Sequence, residues 1–459
     1  MSTDDNNYLN ILKVRDDHQP LRFGNLEEDK FKISEDSKTS WAGEDFGIND
    51  LRRRIEPWLT SLFQSEHLSL LAGAGLTHAV HRIATKENAA GMSELPLTGY
   101  TYKEQINQAA KESAETAGRE SGNLEDQLRI ANELLRGLEI LKKNKKAKIL
   151  RNHLQVGMRN FAQSILESEK GIAIANDGKR EQAFNILVTF LMSFASRTGV
   201  RDRLNIFTTN YDRLIEAGAE LAGLHLLDRF VGKLMPIFRS SRLDLDMHYN
   251  PPGIRGEPRY LEGVARYTKL HGSLDWVQVG RDIRRIGLPF GTTEIAPYLQ
   301  VPGLGKVTEH ELMIYPNAAK DRETAAYPYV ELFRDLAAAV CRPNSTLVTY
   351  GYSFGDEHIN RIIRDMLTIP STHLVVISYN DPLGRIMQTY KELERDSQIS
   401  LLIGPDLADL TTLTKHYLPK PAIDKTTFRM SELLKQRMGT EPQQPAKDTQ
   451  PTETTKGGC

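Results

Sequence analysis

Cysteine is nearly absent: Cys341 and Cys459 are the only two in 459 residues. Two thiols exclude a disulfide framework and any zinc site built from three or four cysteines of one chain, and their scarcity fits a reducing compartment. Long apolar runs are missing too. The most hydrophobic stretch, Ala183 to Ala195, is short and interrupted by Asn185, Thr189 and Ser193, so no segment is expected to span a bilayer. The opening MSTDDNNYLNILKVRDD lacks the basic-then-apolar order of a signal peptide, and the expected location is cytoplasmic. Neither sign of charge is in excess, since 59 Lys plus Arg against 60 Asp plus Glu leave a net charge of -1. With no global field to recruit nucleic acid, an acidic substrate or an anionic membrane, no direct nucleic-acid or membrane partner is predicted, and ligands must be sought in local sites.

At roughly 150 residues per domain, the length accommodates about three domains or one large domain with an insertion. Residues 1–50 are polar with little periodicity and read as a loosely held N-terminal arm. Residues 440–459, TEPQQPAKDTQPTETTKGGC, are a Pro, Gln and Thr mixture that cannot bury enough apolar surface to order itself. The intervening 51–439 contain six short apolar runs: LSLLAGAG at 68–75, LNIFTTNYD at 204–212, TKLHGS at 268–273, TLVTYGYS at 346–353, HLVVISYN at 373–380 and ISLLIGPD at 399–406. Runs of this length suit strands buried on both faces. Helical patterns at Tyr211–Leu221, Val330–Val340, Asp356–Leu367 and Ile386–Arg395 alternate with them. The predicted class is α/β, a doubly wound, mostly parallel, Rossmann-like sheet of about six strands.

From about 95 to 200 that rhythm breaks. Leu124, Leu128, Ala131, Leu135, Leu138 and Leu141 recur at spacings of four and three behind an Asn123 suited to capping, which predicts a helical insertion. Its stripe must be buried either on the parent sheet or in a homo-oligomer. The run KKNKKAK, Lys142 to Lys148, reads as a solvated helix end, or as an interface or phosphate-binding patch.

In open parallel sheets ligands bind beyond the carboxyl ends of the strands, and polar or glycine-rich residues cluster at the ends of these runs. Gly73-Ala74-Gly75-Leu76-Thr77 allows close backbone approach to a phosphate, with free N–H groups at the following helix start. The full dinucleotide fingerprint fails, because its third glycine falls on His78. Thr208-Thr209-Asn210-Tyr211-Asp212 places an amide and a carboxylate two positions apart, either of which could equally cap a helix. Lys269-Leu270-His271-Gly272-Ser273 ends on an imidazole that could be purely structural. The segment from Thr349 to His358 supplies Gly351, Ser353, Gly355 and a helix cap at Asp356, and the fifth run ends in Ser378, Tyr379, Asn380 and Asp381. Each has an ordinary structural explanation; their recurrence at one sheet edge points to a site.

Taken in this order, GAGLT, TTNYD, KLHGS, GYSFGDEHIN and the strand ending in Asn380 resemble the sirtuin fold, and more closely the sirtuin-like domains of bacterial anti-phage defence. The resemblance spans about Leu68 to Pro405. It implies NAD as substrate, with the diphosphate on the loop of Gly73, Ala74, Gly75 and Thr77, and with Asn210 and His271 as the catalytic amide and histidine. Asp212 would support the nicotinamide-ribose side, Thr209 would join the cofactor-binding set, and Gly351, Ser353, Asp356 and Asn380 would line the cofactor's ribose side. The four-cysteine zinc ribbon of the deacylase branch is missing after His271, so no metal is expected, and the loop after GAG lacks that branch's Pro-Phe-Arg segment. The missing zinc ribbon moves weight from protein deacylation to NAD+ hydrolysis, a cell-depleting response to infection, while the missing segment leaves open what covers the nicotinamide; protein deacylation or ADP-ribosyl transfer is one alternative. A non-catalytic NAD or ADP-ribose sensor is the remaining alternative. Relatives of this kind commonly act with a companion such as a HerA-like ring ATPase or an Argonaute-like guide protein, and this chain has no P-loop or nuclease motif of its own.

Overall fold

The computed structural model describes residues 9–420, other than 28, 42, 44, 91–93, 117–121, 123, 196–201, 242–244, 251–258, 302–303, 306, 308–311, 315–326 and 382. The predicted tail at 440–459 and the Asn123 cap lie outside the described residues. Four short strands come first, β1 (Asn10–Lys13), β2 (Leu21–Glu27), β3 (Lys30–Ile33) and β4 (Asp45–Gly47), followed by α1 (Ile48–Phe63), β5 (His67–Ala72) and α2 (Ala74–Thr85). Helices α3 (Lys103–Thr116), α4 (Leu124–Ile140), α5 (Asn144–Ala173) and α6 (Asp177–Ala195) then interrupt the alternation. Next are β6 (Leu204–Thr208), α7 (Leu214–Ala222), β7 (His225–Leu227), β8 (Phe230–Val231), β9 (Ile237–Phe238), β10 (His248–Tyr249), β11 (Arg259–Tyr260) and β12 (Val264–Lys269). The chain continues through β13 (Gly272–Val279), β14 (Asp282–Arg285), β15 (Leu312–Ile314), α8 (Tyr329–Val340), β16 (Ser345–Tyr350), α9 (Glu357–Leu367), β17 (His373–Ser378), α10 (Arg385–Leu393) and β18 (Ile399–Ile403).

The main sheet has eleven strands in the order β4-β3-β2-β1-β18-β17-β16-β5-β6-β12-β7. From β18 to β7 every neighbouring pair is parallel. The six apolar runs are β5, β6, β12, β16, β17 and β18, and the three-residue β7 adds a further edge strand. Side chains alternate between two cores, as the pleat requires. Leu68, Leu70 and Val348 face α1, α2, α6 and α7, whereas Leu71 and Leu347 face α8, α9 and α10.

The N-terminal segment departs from the expected loose arm. β1 pairs antiparallel with β18, Ile11 opposite Ile403, and β2 to β4 extend the sheet from there. Asn10 Nδ2 donates to Asp406 Oδ2 at 2.7 Å, and the buried Lys13 Nζ donates to the Ile399 carbonyl at 3.1 Å. Phe23, Phe31 and Phe46, one from each of β2, β3 and β4, pack with ring centroids 5.2–5.6 Å apart. Strands this short show almost no period, and their apolar residues become a cluster only once the sheet brings them together.

The helical insertion buries its stripe within the chain. Leu124, Leu128, Ala131 and Leu138 of α4 join Leu150, Leu154 and Phe161 of α5 in a third core, shared with Leu274 and Val277 of β13. Leu141 lies past the end of α4 and is 67% exposed. The lysine run sits at the exposed turn between α4 and α5, where Lys146 alone folds back, donating to the Tyr102 hydroxyl at 2.8 Å. β13 belongs to a second, five-stranded sheet of order β15-β13-β14-β9-β8.

Strand register levels the carboxyl ends. Ala72 lies opposite both Thr208 and Tyr350, Thr208 opposite Lys269, and Tyr350 opposite Ile377. The chain runs outward from β5 to β6 and β12 on one side, then returns to β16, β17 and β18 on the other. The topological switch point, where such sheets open a crevice, therefore falls between β5 and β16.

At the opposite end of the sheet, His373 Nε2 lies 2.8 Å from Ser400 Oγ, and its ring stands edge-on to Trp58. Burial, with the Lys13 ammonium acting the same way, pushes its imidazole down to about 4 from the ordinary 6.5. As pH falls from 6.5 the unfolded chain takes up this proton and the folded one does not, so stability drops on acidification until about pH 4. The expected loss between pH 7.5 and pH 5 is about 2 kcal/mol from this group. Urea denaturation at both pH values should show it in the wild type, and His373→Gln should remove that part of the pH dependence.

Candidate functional site

The turn after β5 and the turn after β16 meet backbone to backbone. Gly73 N donates to the Tyr350 carbonyl at 2.9 Å, and Gly75 N donates to the Gly351 carbonyl at 3.1 Å. A Cβ on Gly75 would lie 2.6 Å from the Gly351 Cα, and one on Gly73 would lie 2.8 Å from the Tyr352 Cα and closer still to the Gly351 carbonyl oxygen. Gly351 itself has φ +61°, a left-handed conformation that side chains disfavour. These glycines are therefore required by the neighbouring strand end, a constraint separate from any approach of a phosphate. Gly73 is the N-cap of α2, and the first turn of that helix lines the crevice.

Asn210 stands at the end of β6, 9% exposed. Its Nδ2 donates to the Gly73 carbonyl and to Thr77 Oγ1, both at 3.0 Å. Thr77 Oγ1 in turn donates to Asp212 Oδ2 at 2.6 Å. Because its single proton goes to the carboxylate, the hydroxyl can only accept from Asn210, so the chain of bonds has one direction. Both amide hydrogens are thereby spent on the protein, and Oδ1 remains as the acceptor for a ligand. Asp212 also accepts from the N–H of Leu214, the first residue of α7, at 3.0 Å, while Arg213 takes the N-cap position. One carboxylate thus serves both the helix start and the cleft, and α7 starts at Leu214 rather than at Tyr211.

His271 follows β12 and is paired through Nε2 with Asp356 Oδ2 at 2.9 Å. With the carboxylate as acceptor, a neutral ring carries its proton on Nε2 and its lone pair on Nδ1. Asp356 caps α9 as the sequence predicts, accepting from His358 N at 3.0 Å, so the same side chain fixes both a helix start and the histidine. The Tyr352 hydroxyl, held protonated by burial, reaches the Asp356 carbonyl at 3.1 Å and Asn360 Oδ1 at 3.0 Å. The His271 ring is near Tyr211 and Phe333, with centroids 6.2 and 6.4 Å away.

All the residues singled out at the strand ends line one cleft of about 700 Å³: Gly73, Ala74, Gly75, Thr77, Thr209, Asn210, Asp212, His271, Gly351, Ser353, Asp356 and Asn380. Ser353 and Asn380 are exposed at its rim. His78, at the failed third-glycine position, also lines it; burial and then the neighbouring His81 lower its pKa, against the pull of Asp212. Sequence reasoning missed the opposite wall, which the insertion builds from α3, α4 and α5 with Ser113, Asp126, Phe161, Ser164 and Ser168. Phe161 stands edge-on to Tyr211, 5.4 Å between centroids. Glu169 of α5 accepts from Arg213 N at 2.8 Å and forms a buried ion pair with its guanidinium. Burial pushes the Glu169 carboxyl up, and the Arg213 charge opposes that shift. The two residues are 44 positions apart, and nothing in the sequence pairs them.

Residues 204–401 match the family model of the SIR2-like domain. No curated protein matches the chain. That span is consistent with a sirtuin-like domain, which suggests NAD-related activity. The matched span holds Asn210, Asp212, His271, Gly351, Ser353, Asp356 and Asn380; the Gly73–Thr77 turn lies ahead of it and reaches the same cleft through strand order. Among the described residues, no helix is long and apolar enough to cross a membrane, and no group of three or more His, Cys, Asp or Glu is placed to hold a metal ion.

The glycine contact yields a paired prediction. Gly73→Ala forces a methyl into the Gly351 backbone and should cost at least about 2 kcal/mol of stability. Gly137→Ala, on a face of α4 with open space around it, should add about 0.5–1 kcal/mol. Chemical denaturation of the two variants checks both signs.

Proposed function

We propose that this SIR2-like domain hydrolyses NAD+ to nicotinamide and ADP-ribose. The observation that carries the reading is the presence, in one cleft, of an amide with only its oxygen left for a ligand and an imidazole whose proton is held away by a carboxylate. Nicotinamide leaves as a neutral ring from a cationic linkage, so the bond needs no acid to protonate its leaving group, unlike an ordinary glycoside. The task is to accommodate the ribosyl cation and to present water to it. The bond from the anomeric carbon to the ring nitrogen breaks, with its electron pair going to nicotinamide. Water adds to that carbon while Asn210 Oδ1 orients it, and the released proton passes to His271 Nδ1 and then to solvent.

In this reading the diphosphate sits at the Gly73–Thr77 turn, where the start of α2 favours an anion through its dipole; the amides of Gly73, Gly75 and Leu76 are already committed to the Tyr350, Gly351 and Gly73 carbonyls. Thr209 and Asp212 serve the nicotinamide ribose, and Gly351, Ser353 and Asn380 line the far ribose. Asp356 acts through His271. The finer role, NAD depletion in the cytoplasm as an anti-phage defence, gated by assembly into a homo-oligomer or by a companion such as a HerA-like ATPase, rests on the resemblance of the ordered motifs.

Incubation of the full chain with NAD+ should release nicotinamide and ADP-ribose in equal amounts. His271→Ala should lower kcat by about 10²–10⁴-fold, the usual contribution of a positioned base. Asn210→Ala should lower it by a similar factor. Full activity in Asn210→Ala overturns the mechanism. Consumption of an acyl-lysine peptide or labelling of a protein acceptor moves the function to deacylation or ADP-ribosyl transfer, and calorimetric binding of NAD+ without product makes the domain a sensor.

A further inference from the structure

We propose that Lys269 is a positioning residue for the cleavage reaction, its buried ammonium holding the turn that bears Asn210 and Asp212 in fixed relation to the loop that bears His271. The inference rests on the hydrolase reading above.

Lys269 is the last residue of β12, two positions before His271, and its side chain is 1% exposed. Lysine is almost never buried to this degree without partners. Here Nζ donates to the Asp212 carbonyl, to Glu216 Oε1 at 3.1 Å and, more weakly, to the Tyr211 carbonyl at 3.5 Å. The other Glu216 oxygen accepts from the Tyr267 hydroxyl at 2.9 Å. The Tyr211 carbonyl also accepts from Leu274 N at 3.0 Å and from Ser273 Oγ at 3.4 Å. Donors on both sides of His271 thus converge on the two carbonyls that follow Asn210.

Strand pairing cannot supply this connection. The ladder between β6 and β12 ends at Thr208 opposite Lys269, followed by one further bond from Leu270 N to the Thr208 carbonyl at 2.9 Å. Beyond that level the two turns carry their functional side chains with no sheet to set their spacing. Lys269 occupies the level where the ladder stops, and its charge reaches the Asp212 carbonyl, for which a neutral side chain of the same length would supply no donor. A displacement of about 1 Å in a reacting group can cost on the order of 10²-fold in rate, so the positioning is worth having.

A single replacement confounds position with stability, because removing Lys269 leaves the half-buried Glu216 without its partner charge, whereas removing both partners of such a pair is often nearly neutral. The test therefore uses wild type, the double variant Lys269→Met/Glu216→Gln, and Glu216→Gln alone, all full-length, with kcat and KM for NAD+ and thermal midpoints measured together. The double variant should melt close to wild type and keep KM within about twofold while kcat falls about 10–100-fold. Glu216→Gln alone should keep kcat, because the ammonium still bridges the two carbonyls. Wild-type kcat in the double variant overturns the proposal, as does a loss confined to KM or an equal loss in Glu216→Gln. Wild-type protein that releases no nicotinamide overturns the hydrolase reading, and the positioning role falls with it; an active wild type beside an unimpaired double variant overturns the positioning alone.

Discussion

The backbone of Gly351 packs against the backbone of Gly73 and Gly75, with no space for a side chain on any of the three. That contact closes the floor of the crevice at the point where the sheet reverses its winding. β5 sends its chain toward β6 and β16 sends its chain toward β17, so the two turns diverge above the floor and leave a cleft between them. Every functional side chain is placed relative to it: Asn210 through its bond to the Gly73 carbonyl, Thr77 through the first turn of α2, and Asp356 through the loop that leaves Gly351.

Above the floor, the polar groups have fixed directions. Asp212 takes the Thr77 proton, Thr77 takes an Asn210 proton, and the amide is left with its oxygen outward. On the other side Asp356 holds Nε2 of His271. A carboxylate therefore stands behind each of the two groups and decides which atom of it meets a ligand. The insertion supplies the remaining wall and is tied to the site by the buried Glu169–Arg213 pair and by Phe161 on Tyr211. Breaking such a pair is costly because it strands a charge in the interior, which favours one placement of α5 against the turn after β6.

Much of this was legible in the sequence where the chemistry is local. Unbroken apolar runs marked the parallel strands, because strands buried on both faces need no polar alternation. Residues at the run ends marked the cleft, because register brings all those ends to one level. What was hidden depends on partners distant in sequence. The strands within 10–47 are too short to show a period and acquire their core only when Phe23, Phe31 and Phe46 meet. Asp356 was legible as a helix cap but not as the partner of a histidine 85 positions away. Lys269 stood in a motif read for its imidazole, and its burial follows from a turn that only the fold places beneath it. The insertion's stripe announced a helix that must be covered, without indicating that its far side would line the cleft.

One ligand must meet the Gly73–Thr77 turn, the Asn210 oxygen and His271 Nδ1 together. A crystal structure of the full chain with ADP-ribose tests it most directly. The expected result is the diphosphate at the Gly73–Thr77 turn and the terminal ribose between Asn210 Oδ1 and His271 Nδ1, with the insertion's Phe161 and Ser164 alongside. ADP-ribose bound elsewhere, or bound in this cleft with its terminal ribose turned away from both side chains, would contradict it.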